Sequence, residues 1–68
     1  LEMYQLEPIL TVSETAAFLK LSKSKVYLMI QRNQIPHLKM GKSVRIRECD
    51  LMAWIEEQIV PNDEHLHS

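Results

Sequence analysis

The chain has 68 residues, room for one small domain, and an apolar share of 46% that suits a folded rather than a disordered protein. Its formal net charge is only -1, and the single cysteine, Cys49, cannot brace the fold through a disulfide within the chain. No apolar run approaches the length of a membrane span and no signal-peptide pattern appears, so the expectation is a soluble cytoplasmic protein with no membrane partner.

Residues 1–8 show no periodicity and read as a loose lead-in to a domain over 9–60. The first helix is expected over about 12–20. Thr11 to Glu14 fits a capping box, in which the Thr11 hydroxyl and the Glu14 carboxylate each close on the other residue's backbone N–H. Val12, Ala16 and Leu19 then share a face. Lys20-Leu21-Ser22 makes a short turn, and Ser22 is the expected N-cap of a second helix over about 23–32. In that helix Val26, Met29 and Ile30 point inward. Asn33 ends it, because Asn tolerates the left-handed backbone common at helix ends.

A β-hairpin is expected over about 37–47, with Ile35-Pro36 leading in and Gly41, the only glycine, at its turn. Alternation favours a loop over 41–43. That register pairs Met40 with Val44 and Leu38 with Ile46 on one apolar face, and sets Lys39 opposite Arg45 and His37 opposite Arg47. A third helix over about 48–59 carries Glu48 and Asp50 in its first turn, where the helix dipole favours acids. Leu51, Trp54, Ile55 and Ile59 form its inward stripe. Residues 61–68 read as a disordered tail. The fold class is thus mainly α with a two-stranded β-hairpin wing, a winged helix-turn-helix.

The near-neutral net charge conceals a segregation. All eight basic residues fall between Lys20 and Arg47, a window without Asp or Glu, and all nine acids lie outside it. Such a pattern is the footprint of a surface that meets a polyanion. Two local rules fail inside the window. Lys23 and Lys25 occupy the first turn of the second helix, where a cation costs about 0.3–1 kcal/mol. Lys39 opposite Arg45 sets like charges face to face across the hairpin. A phosphate at either place turns the cost into a gain.

The second helix, about 15 Å long, matches a DNA major groove about 12 Å wide. Its outward residues are Ser24, Lys25, Leu28, Gln31 and Arg32. Gln suits adenine, Arg suits guanine, and Leu28 offers contact to a thymine methyl. Lys39, Lys42, Ser43, Arg45 and Arg47 on the wing would meet phosphates or enter the minor groove. Tyr27 fits either of two roles, a core ring or a phosphate-binding hydroxyl.

Leu10 to Ala17, Leu21-Ser22, Lys25 to Ile30, Ile35-Pro36, Lys39 to Gly41, Val44 to Ile46 and Asp50 to Ile55 together resemble the excisionase-type, MerR-like winged helix-turn-helix DNA-binding family over about two thirds of the chain. The resemblance implies a second helix that reads the major groove and a wing that grips the minor groove of double-stranded DNA. It also implies a role as a recombination directionality factor beside an integrase on a mobile element, or as a small transcription regulator. Carried over by position, the DNA contacts fall on Ser22, Lys23, Ser24, Lys25, Tyr27, Arg32, Lys39, Lys42, Ser43 and Arg45. The chain departs from the family where Lys20 and Asn33 replace frequent glycines and Leu28 replaces a frequently basic residue.

Catalysis is not expected. There is no glycine-rich phosphate loop and no nucleophile with a supporting base, and the adjacent Glu56 and Glu57 point to different sides of a helix. His37, Cys49, His65 and His67 lack the spacing of a metal site, and no cofactor is implied. The competing reading is a winged-helix interaction module that docks an integrase or transcription protein without touching DNA. In the DNA-binding reading, an integrase or another copy of the chain on DNA is a candidate further partner.

Overall fold

The computed structural model describes residues 8–61. The expectations for residues 1–7 of the lead-in and 62–68 of the tail lie outside them. In chain order the elements are β1 (Ile9–Thr11), α1 (Val12–Leu19), α2 (Lys23–Gln31), β2 (Leu38–Met40), β3 (Ser43–Arg47) and α3 (Glu48–Glu57). Three helices with a small antiparallel sheet make a winged helix-turn-helix. The expected hairpin is present, but it is part of a three-stranded sheet ordered β1-β3-β2. The additional strand pairs Ile9, Leu10 and Thr11 with Arg47, Ile46 and Arg45. Three residues are too few to show a period of two, and their partners lie over thirty residues away, so no local signal marks the strand.

Both ends of α1 follow from local chemistry. The capping box is formed: Thr11 N–H donates to Glu14 Oε1 at 2.9 Å, and Glu14 N–H donates to Thr11 Oγ1 at 3.0 Å. At the other end Leu21 N–H reaches Ala16 O at 2.9 Å and Lys20 N–H reaches Ala17 O at 3.2 Å, the two bonds of a Schellman motif. Lys20 sits there with φ 60° and ψ 40°. It therefore adopts the left-handed backbone that a glycine would take, and the departure from the family leaves this turn of the ordinary kind.

Helix α2 repeats the arrangement. Ser22 Oγ accepts from Lys25 N–H at 3.1 Å. Beyond the helix, Gln34 N–H donates to Met29 O at 2.8 Å and Asn33 N–H to Ile30 O at 3.0 Å, with Asn33 at φ 55°. Both helices thus end on a non-glycine residue in the left-handed region.

The core joins Val12 and Ala16 of α1, Val26, Met29 and Ile30 of α2, Ile35 of the connector, Ile46 of β3 and Leu51 of α3. Thr15 is the buried polar residue among them, and its hydroxyl is satisfied by Thr11 O at 2.9 Å. Leu19, Trp54 and Ile55 pack partly buried against this core. Ile59 does not join the stripe: α3 stops at Glu57 and Ile59 is 63% exposed.

The hairpin register differs by one residue from the alternation-based expectation. Leu38 pairs with Arg45, Lys39 with Val44 and Met40 with Ser43, leaving a two-residue turn of Gly41 and Lys42. Gly41 has φ 62°, which suits the first central position of a type II′ turn. Partners directly opposite share a face, so Val44 and Ile46 stay inward with Lys39 opposite Val44, while Leu38 and Met40 both lie on the other face with Arg45 and Ser43, and Met40 is 48% exposed. Lys39 consequently does not face Arg45, nor His37 Arg47, and the expected like-charge conflict across the hairpin is absent. His37 lies before β2, with its Nδ1 at 2.9 Å from Ile35 O.

Candidate nucleic-acid interface

The interface residues expected from sequence come from two elements, and α2 presents its share in two rows. Lys23, Tyr27 and Gln31 recur every fourth residue along the flank of the helix that faces the hairpin, while Lys25, Leu28 and Arg32 follow one another at helical spacing on the flank beyond. Ser24 lies between the rows. All seven side chains are exposed. None of the first-turn residues of α2 is acidic, so Lys23 and Lys25 stand uncompensated within the helix, as the sequence indicated.

Tyr27 stands where the helix and the wing meet. It is 49% exposed, so of its two expected roles the fully buried core ring is excluded. Two clefts open on either side of it. One, of about 310 Å³, is lined by Lys23 and Tyr27 of α2, by Lys42, Ser43, Val44 and Arg45 of the hairpin, and by Thr11 to Ser13 at the start of α1. The other, of about 460 Å³, runs from Tyr27, Ile30, Gln31 and Asn33 to His37, Lys39 and Val44. Lys23, Lys39, Lys42 and Arg45 are thereby gathered around one tyrosine from both elements.

Arg45 and Arg47 are occupied differently. Arg45 Nη1 donates to Val44 O at 2.8 Å, which leaves its remaining guanidinium donors for other acceptors. Arg47 is drawn to the other end of the strand. Its Nε and Nη2 donate to the two carboxylate oxygens of Asp50, at 2.8 and 3.0 Å. The Asp50 carboxyl is held below its ordinary range, first by the hydrogen bond from Arg47, against the opposing effect of desolvation. The Arg47 charge and a hydrogen bond from the Cys49 thiol at 3.8 Å add to the lowering.

The sequence did not single out Ser13, Asn33 or His37 as interface residues. Ser13 lines the smaller cleft because the pairing of β1 with β3 brings the start of α1 beside the hairpin, a contact distant in sequence that no local motif marks. Asn33 and His37 line the other, between the end of α2 and the wing. Trp54 lies elsewhere, donating from Nε1 to Gln34 O at 2.8 Å, and it braces the connector from which the wing departs.

Comparison with known proteins agrees with this architecture. Two curated proteins of Mycobacterium tuberculosis, from strains CDC 1551 / Oshkosh and ATCC 25618 / H37Rv, are each 37% identical to the chain over 38 residues, or 56% of this chain. Each is named as a candidate DNA-binding protein, and the match takes in 49% of its length, so the chain spans about half the length of the curated relatives it matches. No solved structure matches the chain. The sequence profile of the helix-turn-helix domain family matches residues 9–59, three quarters of the chain, through every element described above, and the chain belongs to that family.

Proposed function

We propose that the chain binds double-stranded DNA in a sequence-specific manner and is not an enzyme. In this reading α2 lies in the major groove and the β2–β3 wing lies on the backbone or in the minor groove. The observation that carries it is the gathering of Lys23, Lys39, Lys42 and Arg45 around Tyr27 at the junction of helix and wing. Membership of a helix-turn-helix family and relatives named for DNA binding support it. Ser24, Leu28, Gln31 and Arg32 would face base edges. Ser22, Lys23, Lys25, Tyr27, Lys39, Lys42, Ser43 and Arg45 would meet the backbone. Arg47, engaged with Asp50, serves mainly to fix the end of the wing to α3.

The biological role is proposed from the resemblance of the sequence: a recombination directionality factor that assists an integrase, or a small regulator of transcription on a mobile element. Selection of bound duplexes from a random pool, followed by a bending assay on the winner, tests both parts. Enrichment of one motif with a bend favours the architectural role, and enrichment without a bend favours the regulator. Absence of binding to any duplex at low salt sinks the reading and leaves a protein-interaction module in its place.

A further inference from the structure

The C-terminal ends of two helices meet at an open groove that Tyr27 does not line. Residues 33–37 run on from the end of α2, and Trp54, Glu57 and Gln58 form the last turn and C-cap of α3. Together they line a volume of about 560 Å³. Its chemistry is the reverse of the surface around Tyr27. Glu57 is the one lining residue of formal charge, and no Lys or Arg is among them. Glu57 also stands at an unfavourable place. The carbonyl end of a helix is negative, and α3 carries Glu56 and Glu57 there with no basic residue in its last turn. The last turn of α2 has no basic residue either, and its C-cap, Arg32, does not line the groove. Among the described residues Glu57 forms no ion pair.

Trp54 adds an aromatic wall. It lies three residues before Glu57, so the two side chains are neighbours on the helix surface. Its Nε1 donates to Gln34 O at 2.8 Å, which fixes the ring against the connector, and the half-buried ring keeps part of its surface open.

We propose that this groove docks an arginine side chain carried by a partner protein. A carboxylate, an aromatic ring and two negative helix ends each attract a cation, and each is a poor host for a phosphate. Arginine suits the set better than lysine. Its planar guanidinium stacks on a ring while its edge donates to a carboxylate and to amide oxygens, here those of Asn33, Gln34 and Gln58. The groove holds more than one guanidinium, so the chain on either side of the arginine has room as well. Asn33 and His37 line both this groove and the cleft that runs from Tyr27 to Lys39, so the partner docks beside the surface given to DNA. The docking holds whether or not α2 meets a duplex, since no phosphate contact enters it.

Trp54 is the only tryptophan of the chain, so its fluorescence reads the groove directly. The full chain is titrated with acetyl-Gly-Arg-Gly-amide and with the same peptide carrying lysine or citrulline, the last keeping the shape of arginine without its charge. A saturable change is expected with arginine, weaker binding with lysine, and binding at least about fivefold weaker with citrulline. Backbone amide shifts at Asn33, His37 and Gln58 report the peptide independently of emission. Glu57→Gln should weaken the arginine peptide about fivefold or more, and Glu48→Gln, on the same helix outside the groove, less than about twofold. Thermal melts establish that both variants fold.

No saturable change in either signal overturns the proposal, as does a lysine or citrulline peptide that binds as tightly as arginine, or an equal loss in Glu48→Gln. Tighter binding of spermidine than of the arginine peptide assigns the groove to a free polyamine instead. Shifts at the same residues on concentrating the chain alone put a second copy there in place of a partner. Duplex affinity of Glu57→Gln should stay within about twofold of wild type. A chain that binds the peptide and no duplex sinks the DNA reading and leaves the docking groove standing.

Discussion

The Arg47 guanidinium holds both carboxylate oxygens of Asp50, Nε at 2.8 Å and Nη2 at 3.0 Å, across the junction where β3 becomes α3. Arg47 is the N-cap position of α3 and offers no side-chain cap to it, while Asp50 lies in the helix's first turn. The pair therefore fixes the exit angle of the strand and places a carboxylate where the helix dipole favours one. It also explains why one of the eight basic residues contributes little to the surface around Tyr27.

A pH dependence follows from this pair. The Asp50 carboxyl is shifted down, chiefly by the Arg47 hydrogen bond. A carboxyl whose folded pKa lies below the unfolded value of about 3.9 stabilises the fold fully above that value, and the contribution is lost as pH falls through the folded pKa. Asp50→Asn should thus melt below wild type at neutral pH, and the two should converge as the buffer is taken below about pH 3.9. The difference should be small, since the pair is exposed. A gap between the two melts that stays the same in acid would show that the pair is not its cause.

What was readable in the sequence was local. The capping box at Thr11 and Glu14, the Ser22 cap and the left-handed Asn33 each depend on residues within a few positions, and helical periodicity located Val12, Ala16, Val26, Met29, Ile30 and Leu51 in the core. The register of the wing was missed for an energetic reason. Alternation treats Met40 and Val44 as equivalent apolar residues, but the two-residue turn at Gly41-Lys42 opposes Met40 to Ser43 instead. The turn geometry wins because Val44 and Ile46 remain inward either way and only Leu38 and Met40 leave the inward face. The glycine-first pair was the one local clue to it. The candidate site was legible as a list of side chains on α2 and the wing. The two clefts that join them were not, because they require β1 and this register.

The salt dependence of duplex binding should be steep. With Arg47 engaged by Asp50 and Lys20 outside the proposed interface, six basic side chains of the window remain to meet phosphates: Lys23, Lys25, Arg32, Lys39, Lys42 and Arg45. A plot of log affinity against log salt should have a slope of magnitude about 4–7. Lys42→Gln should reduce that magnitude by about 1 and Arg47→Gln by much less. Fluorescence anisotropy over a salt series measures both. An Arg47→Gln slope reduced as far as that of Lys42→Gln would show that Arg47 leaves Asp50 for a phosphate in the complex.

Lys25→Glu separates folding from binding. Lys25 lies in the first turn of α2, its N–H already capped by Ser22 Oγ at 3.1 Å, and no acid lies in that turn. Exchanging a cation for an anion there should stabilise the domain by about 0.5–1.5 kcal/mol. The same change places a carboxylate against the duplex and should weaken binding by more than about 100-fold. Thermal melts and anisotropy together check the pair of outcomes. A destabilised variant of unchanged affinity would assign Lys25 to the fold and move the interface elsewhere.

Lys20→Gly tests the left-handed turn between α1 and α2. Lys20 holds φ 60°, which costs a non-glycine residue roughly 1–2 kcal/mol. Glycine removes that cost but loses about 0.4–1 kcal/mol through the greater freedom of the unfolded chain. The net effect should be a stabilisation of up to about 1.5 kcal/mol, a rise in melting temperature of several degrees for so small a domain. Binding should be almost unchanged, because Lys20 lines neither cleft. A loss of affinity equal to that of a cleft lysine would bring Lys20 into the interface.

Two positions on α3 should respond unequally to truncation. Leu51 is fully buried at the centre of the core, so Leu51→Ala should cost about 2–5 kcal/mol, enough to unfold much of the population of a domain this size. Trp54 is only partly buried, and much of its role is the Nε1 hydrogen bond to Gln34 O at 2.8 Å. Trp54→Phe keeps an aromatic ring in place but gives up part of the indole's packing, removes the donor and leaves the carbonyl open to solvent, at a cost of about 1 kcal/mol or somewhat more. Because Gln34 belongs to the connector that launches the wing, this variant should also loosen residues 34–37 and weaken duplex binding more than its stability loss alone explains. Amide hydrogen exchange of the connector, read beside anisotropy, decides the matter: unchanged protection with unchanged affinity would mean that the bond braces α3 and not the wing.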